Sequence, residues 1–276
     1  MLGNVVSPYY AHARRRGAAD PLRHCALSVA LYGVTGKRWA MIERGARHLQ
    51  RTASSLQIGP SALRWEGDAL TIDIAEVTVP LPSRLRGRVR LHPASLTGQR
   101  STLDPDGAHR WWPIAPCARV EVAMAHPALR WSGHGYLDAN AGDAPLEQAF
   151  ATWHWSRVRL RDGAAVLYDV TRRDGTRRSI AMRADASGAV AAFDPPAEVA
   201  LPATRWRIAR HTRAEPGGAV RVERTLEDTP FYARSVLSAR LLGEPVVAMH
   251  ESLSLDRFRQ RWVQMLLPFR MSRAGR

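Results

Sequence analysis

Between Trp131 and Trp155 the chain reads W-S-G-H-G-Y-L-D-A-N-A-G-D-A-P-L-E-Q-A-F-A-T-W-H-W, its densest run of aromatic and acidic side chains. Three of the nine tryptophans (131, 153 and 155) lie here, with Tyr136, Phe150, Asp138, Asp143 and Glu147. Upstream, His109-Arg110-Trp111-Trp112-Pro113 adds two more indoles and an imidazole. If Gly135–Asp138 is a strand, Tyr136 and Asp138 project to one face and His134 joins them. A carboxylic acid withdrawn from water among apolar rings favours its neutral form and holds its proton upward in pH. Indole and phenol faces attract cations by about 0.5–2 kcal/mol each. One proton donor inside a ring of electron-rich aromatics is the equipment for protonating an alkene and sheltering the resulting carbocation. The same residues also fit a plainer arrangement, in which Asp138 caps a turn with Asn140 and Gly142 while the tryptophans fill a core.

Other site chemistries leave no trace. The chain has no G-x-x-x-x-G-K-[ST], no G-x-G-x-x-G between strand and helix, no G-x-S-x-G and no H-E-x-x-H. Its ten histidines are scattered, and none is paired with a second ligand on a helix face, so no metal site is expected. Cys25 and Cys117 are too few for a disulfide framework, which makes a reducing compartment the default. Arg14-Arg15-Arg16, beside Tyr9 and Tyr10, can contact phosphates or form a solvated loop; no nucleic-acid-binding module accompanies it.

Strands are the elements that must position the aromatic stretch, because alternation at period two dominates. Ala69–Val79 places Leu70, Ile72 and Ile74 opposite Thr71 and Asp73, and follows Leu63–Trp65 across a turn at Glu66-Gly67-Asp68. The same form recurs where Ala165–Val170 leads through Asp174-Gly175 into Arg178–Arg183, and where Arg205–His211 leads through Pro216-Gly217-Gly218 into Ala219–Thr225. His24–Tyr32, Arg38–Arg44, Arg86–His92, Arg119–Ala125 and Val246–Ser254 complete the strand set. Helix is expected only at Pro145–Phe150, with Pro145 at the first helical position, and in the tail Asp256–Leu267. That tail spaces Phe258, Trp262, Met265 and Leu266 on one stripe beside arginines 257, 259 and 261: a helix packed on the barrel, or a basic segment lying on a membrane. Pro268 to Arg276 reads as frayed. Ser101–Ala108 is the most linker-like stretch. The fold class is therefore all-β, with antiparallel barrels or sandwiches, a few short helices and a helical tail.

Lys+Arg 40 against Asp+Glu 25 gives a net charge of +15, and Lys37 is the only lysine, a bias that a genome favouring arginine codons also produces. Such an excess suits nucleic acid, an anionic membrane face or an acidic substrate. No apolar stretch approaches the roughly 20 residues that cross a bilayer, and Met1–Tyr10 lacks a secretion-signal pattern, so an intracellular protein is expected.

At these residues the chain resembles the acyclic carotenoid 1,2-hydratases, also called hydroxyneurosporene synthases. The resemblance runs through V-V-S-P-Y-Y-A-H-A-R-R-R-G-A-A-D-P-L-R-H-C-A-L-S-V-A-L-Y-G (Val5–Gly33), R-W-A-M-I-E-R (Arg38–Arg44), H-R-W-W-P-I-A-P (His109–Pro116), G-H-G-Y-L-D-A-N-A-G-D-A-P-L-E (Gly133–Glu147) and W-H-W-S-R (Trp153–Arg157). It implies two lipocalin-like β domains, residues 1–104 and 105–276, the second carrying the site. Family members start further upstream, so the resemblance implies either a misassigned start codon or a missing first strand of the first domain. The resemblance also implies cofactor-free hydration of the terminal double bond of a long acyclic carotenoid such as neurosporene or lycopene. Asp138 matches the proton donor, and Trp111 and Tyr136 match its supporting aromatics. His109, His134, Trp112, Trp131, Trp153 and Trp155 are expected to line the substrate cavity. For a hydrocarbon substrate the positive charge is read as attraction to an anionic membrane, giving a cytoplasmic protein peripheral to the inner, photosynthetic membrane. A lipocalin-like lipid or carotenoid binder without catalysis is the alternative.

Overall fold

The alternating segments fold into antiparallel ladders. A computed structural model describes residues 1–33 and 36–274. One ladder pairs Cys25–Gly33 with Gly36–Arg44, and the short strand Ser272–Arg273 runs parallel to Ile42-Glu43. An eight-stranded sheet runs in the order Leu129–Gly142, His109–His126, Arg84–Pro93, Ala69–Val77, Ser61–Glu66, Ser55–Ile58, Leu49–Arg51, with Ser101–Thr102 attached to His109–His126. A seven-stranded sheet runs Val190–Ala192, Arg177–Ala184, Gly163–Arg172, Phe150–Leu160, Glu244–Ser254, Tyr232–Leu241, Arg221–Asp228. Glu198–Leu201 and Arg210–Arg213 form a separate hairpin. The expected antiparallel β architecture with few short helices is present, and among the described residues neither large sheet closes on itself into a barrel.

Contacts divide the chain into two units, each assembled from separated stretches. The first comprises Met1–Pro93, Arg119–Gly135 and Gln264–Arg276, the second Ala94–Ala118 and Tyr136–Val263. The first unit buries Val29, Ala40, Ile74, Leu85, Val120, Val122 and Met124 together. The second buries Val158, Leu160, Ala165, Leu167, Leu237, Leu241 and Val246. In the strand Phe150–Leu160 the even positions His154, Ser156, Val158 and Leu160 face that core, and the odd positions Trp153 and Trp155 face the other way. Register then fixes what stands beside them: Trp155 lies opposite Tyr168 on one neighbour and Glu251 on the other.

Several expectations are corrected. Arg205–His211 is not a strand: Arg207 N–H donates to Thr204 O in a turn where Arg207 has φ +56, and only Arg210–Arg213 is extended. That strand pairs with Glu198–Leu201 rather than with Arg221–Asp228. Pro145 caps the one-turn helix Leu146–Ala149 in an extended conformation instead of opening it. Ser101–Ala108 is docked: Leu103 and Asp104 are buried, and Leu103 N–H donates to His109 O. The tail is not one helix but the turns Leu255–Phe258, Arg261–Leu266 and Leu267–Phe269. The break at Arg259-Gln260 changes the buried stripe to Phe258, Val263 and Leu267, leaving Trp262, Met265 and Leu266 exposed. Ser272–Arg273 is paired rather than frayed, and 275–276 lie outside the described residues. Tyr232–Leu241 went unread because its inward positions include the small Ala233 and Ser235 before Leu237, which weakens the apolar alternation.

Gly163 opens the strand beside the site at φ +125, where a Cβ would stand 2.0 Å from Ala184 O. Gly163→Ala is expected to lose at least about 2 kcal/mol and to lower the melting temperature by about 4 °C or more, read by thermal unfolding.

Candidate active site

Asp138 sits on the strand Leu129–Gly142, two residues from Tyr136 on the same face, with Trp111 supplied by His109–His126. The carboxyl receives two hydrogen bonds on a single oxygen: Trp111 Nε1–H donates to Oδ2 at 2.9 Å and Tyr136 O–H donates to Oδ2 at 3.1 Å. Oδ1 accepts from no other side chain among the described residues. Burial pushes the Asp138 pKa above the ordinary carboxylate range against the two donors, and the Glu251 charge adds to the rise. Glu251 is itself held by Arg234 at 2.6 Å. Burial and the neighbouring Asp138 charge push the Tyr136 phenol well up, so it remains a neutral donor.

The aromatic side chains around Asp138 contact one another in two groups, bridged by its carboxyl. Trp111, 0% exposed, contacts Tyr168 with ring centroids 5.1 Å apart, and Tyr168 contacts Trp153 at 5.0 Å. Phe150 meets Trp153 edge-on at 6.3 Å, and Tyr136 meets Trp155 at 5.4 Å. Tyr168 O–H donates to Asn140 Oδ1 at 2.9 Å. Asp138 itself is only half-buried. This arrangement is suited to handing one proton to an unsaturated hydrocarbon.

His109 is committed elsewhere. Its Nδ1 is 2.6 Å from Asp104 Oδ2 and its Nε2 is 3.0 Å from Ala144 O, while its backbone N–H donates to Asp104 Oδ1 at 3.1 Å. An acceptor stands at each ring nitrogen, so the side chain is fully engaged in fixing its own surroundings. Burial pushes the Asp104 pKa upward, and the hydrogen bonds from His109 outweigh it, leaving the group below its ordinary value. This pair ties the 101–108 loop to the Asp143-Ala144 turn, and among the described residues its ring contact with the aromatic group is through Phe150, 4.9 Å from the imidazole.

Of the other residues expected to line the cavity, Trp153 and Trp155 take part in these ring contacts. Trp112 points to the opposite face of its strand from Trp111, donates Nε1–H to Thr97 O at 2.9 Å and lies under Arg100. Trp131 and His134 are exposed residues of the first unit. His154, between the two lining tryptophans, faces the core with His250: Nδ1 of His154 is 3.1 Å from Ser252 Oγ, and Nδ1 of His250 is 2.8 Å from Ser156 Oγ. Burial keeps both imidazoles neutral, pushing His250 down to about 3. Sequence reasoning missed Tyr168, Asn140 as its partner, Glu251 and Asp104. For Tyr168 the available signal was its position within the recognised Ala165–Val170 strand.

Antiparallel sheets carrying a shielded carboxylic acid among indoles and phenols define a protein built to act on an apolar molecule. The carotenoid hydratase CrtC family model matches residues 1–276, and the chain belongs to that family. It is 59% identical over 276 residues to the acyclic carotenoid 1,2-hydratase of Thiocapsa roseopersicina, covering 100% of this chain and 68% of the relative. It is 48% identical to the protein of the same name from Rubrivivax gelatinosus, across 99% of this chain and 68% of the relative. With the Cereibacter sphaeroides acyclic carotenoid 1,2-hydratase the identity is 40% over 274 residues, 99% of this chain and 96% of the relative.

Asp104→Asn replaces the carboxylate that His109 engages through Nδ1 and its backbone N–H and is expected to cost about 1.5–3 kcal/mol at neutral pH. Because the folded-state pKa of Asp104 is depressed, its contribution exists above the unfolded carboxylate value and is lost as pH falls through the folded one. The gap in melting temperature between wild type and Asp104→Asn should therefore be full at pH 7 and close below about pH 4, checked by melts across that range.

Proposed function

We propose that the chain adds water across the terminal C1–C2 double bond of long acyclic carotenoids such as neurosporene and lycopene, without a cofactor. The observation that carries this reading is the pairing of both donors on Oδ2 of Asp138. With Oδ2 occupied as the carbonyl-type oxygen, the proton rides on Oδ1, the atom left to face substrate. Burial favours the protonated form of the acid over the carboxylate. As it leaves, the growing carboxylate charge meets two hydrogen bonds already in place.

Proton transfer from Oδ1 to C2 forms the new C–H bond and leaves a tertiary cation at C1. The π faces of Tyr136, Trp153 and Trp155 stabilise that cation by ring-quadrupole attraction. Water attacks C1, and the proton released from the resulting oxonium returns to the Asp138 carboxylate, giving a tertiary alcohol and the acid in its starting state. Alkene plus water accounts for every atom, and no electron acceptor enters. The relatives' shared name, acyclic carotenoid 1,2-hydratase, supports the substrate assignment.

The same proposal includes peripheral contact with an anionic membrane on its cytoplasmic side, because the substrate dissolves in the bilayer and the chain carries +15. Among the described residues no helix is long and apolar enough to cross a membrane.

Product formation from lycopene or neurosporene in detergent, followed by chromatography, tests the chemistry. Asp138→Asn should lose about 10²–10⁴-fold in turnover, and unchanged turnover would remove Asp138 as the donor. Activity should fall as pH rises through the elevated Asp138 pKa, since only the protonated acid donates. Tyr136→Phe removes a bond to the carboxylate, so its declining limb should move to higher pH while the plateau drops at least tenfold or so. A folded protein that binds carotenoid and yields no alcohol would leave only the binding role.

A further inference from the structure

Away from Asp138, the first unit holds a cleft of about 780 Å³ between the helix Pro8–Arg15, the following loop and the C-terminal segment. Its polar lining is His12, Arg15, Asp20, Arg23, His24 and Arg273. The helix is fixed by Ser7, whose Oγ accepts from Tyr10 N–H at 2.9 Å, with Pro8 in the first turn. This places His12 and Arg15, three residues apart, on one wall. Beneath the cleft Glu43, 0% exposed, accepts from Ser7 Oγ, from Arg273 and from His24 Nδ1, the last at 2.8 Å. Glu43 is thus consumed in anchoring Arg273 and His24, whose ring meets that of Tyr10 at 4.8 Å in a tilted contact.

The cationic character of the rim is not cancelled. Among the described residues, Arg15, Arg16 and Arg23 stand beside one lining acid, Asp20, whose Oδ2 is 3.8 Å from Arg23, a long ion pair between exposed groups. Arg15 makes no ion pair among the described residues. Arg14 and Arg273 are laid over the rings of Tyr10 and Tyr9 at 4.8 and 5.7 Å, which holds two guanidinium groups beside the opening. Pro268 forms part of the same lining, and next to it Met265 and Phe269 are 73% and 69% exposed. Large apolar side chains left this bare beside a basic cleft form a surface with two chemistries: one suited to acyl chains, the other to phosphate.

We infer that this cleft binds the phosphate headgroup of an anionic phospholipid while Met265 and Phe269 enter the adjoining acyl layer. The inference rests on the membrane contact proposed above and names the face that makes it. Arginines 15 and 23 provide charge-assisted bonds to the phosphate oxygens, and Arg273, already oriented by Glu43, provides the third guanidinium. A free phosphate would engage the arginines but gain nothing from Phe269; the apolar neighbours favour the lipid.

Flotation of the full chain with phosphatidylcholine vesicles, with and without 30% phosphatidylglycerol, tests the assignment. Wild type should bind the anionic vesicles far better than the neutral ones and be released by salt. Arg15→Gln combined with Arg23→Gln should weaken partitioning about 25-fold, roughly fivefold for each arginine near the surface. Met265→Ser with Phe269→Ser should weaken it independently of salt. Both double variants should melt as wild type does and retain carotenoid hydration in detergent. Wild-type affinity in the arginine variant would overturn the cleft assignment and leave membrane contact standing. Failure of wild type to bind any vesicle would overturn both. Displacement by millimolar inorganic phosphate, beyond that of chloride at equal ionic strength, would reassign the cleft to free phosphate and overturn the lipid.

Discussion

A carboxylic acid that must keep its proton at neutral pH and still release it to an alkene is under two opposed demands. Burial alone satisfies the first and defeats the second, since the anion left behind would have no solvent. Hydrogen bonds alone satisfy the second and defeat the first. In the donor role proposed for Asp138 both are met: burial raises the pKa, while Trp111 and Tyr136 place two hydrogen bonds on one oxygen, ready for the charge that follows proton loss. Much of the second unit serves this balance. Trp111 is immobilised by complete burial against Tyr168, Tyr168 is tied to Asn140, and Tyr136 is packed on Trp155.

The position of His109 separates two uses of a buried polar group. It shares a strand face with Trp111, two residues away, yet both its nitrogens are engaged by Asp104 and Ala144. A ring so engaged has neither nitrogen free for another partner. It clamps a loop and a turn together, which orients the start of the strand that presents Trp111.

How much of this could be read in the chain follows from distance along it. Tyr136 and Asp138 are two residues apart, and period-two alternation places them together without any tertiary knowledge. Trp153 and Trp155 obey the same rule. Tyr168 and Glu251 meet Trp155 only through strand register, a property of ladders that no local pattern specifies. Asp104 was hidden for another reason: L-D-P-D-G has turn chemistry, and turn chemistry resembles a linker unless one knows that His109 stands ready to receive the carboxylate. The tail misled through a single break, because two non-continuing residues after Phe258 rotate the following turn and exchange its buried and exposed sides.

The strand Phe150–Leu160 carries two unrelated texts, interleaved letter by letter. Odd positions write the lining, Trp153 and Trp155; even positions write the core, with His154, Ser156 and Val158. A lineage exploring new substrates is therefore free to rewrite alternate letters, reshaping the cavity while the hydrogen-bonded layer behind it stays legible to the folding chain. Inserting or deleting one residue within the strand does the reverse, turning every indole into the core and every core residue outward. Substitution is thus the permitted mode of divergence along this strand, and length change is confined to the turns that bound it.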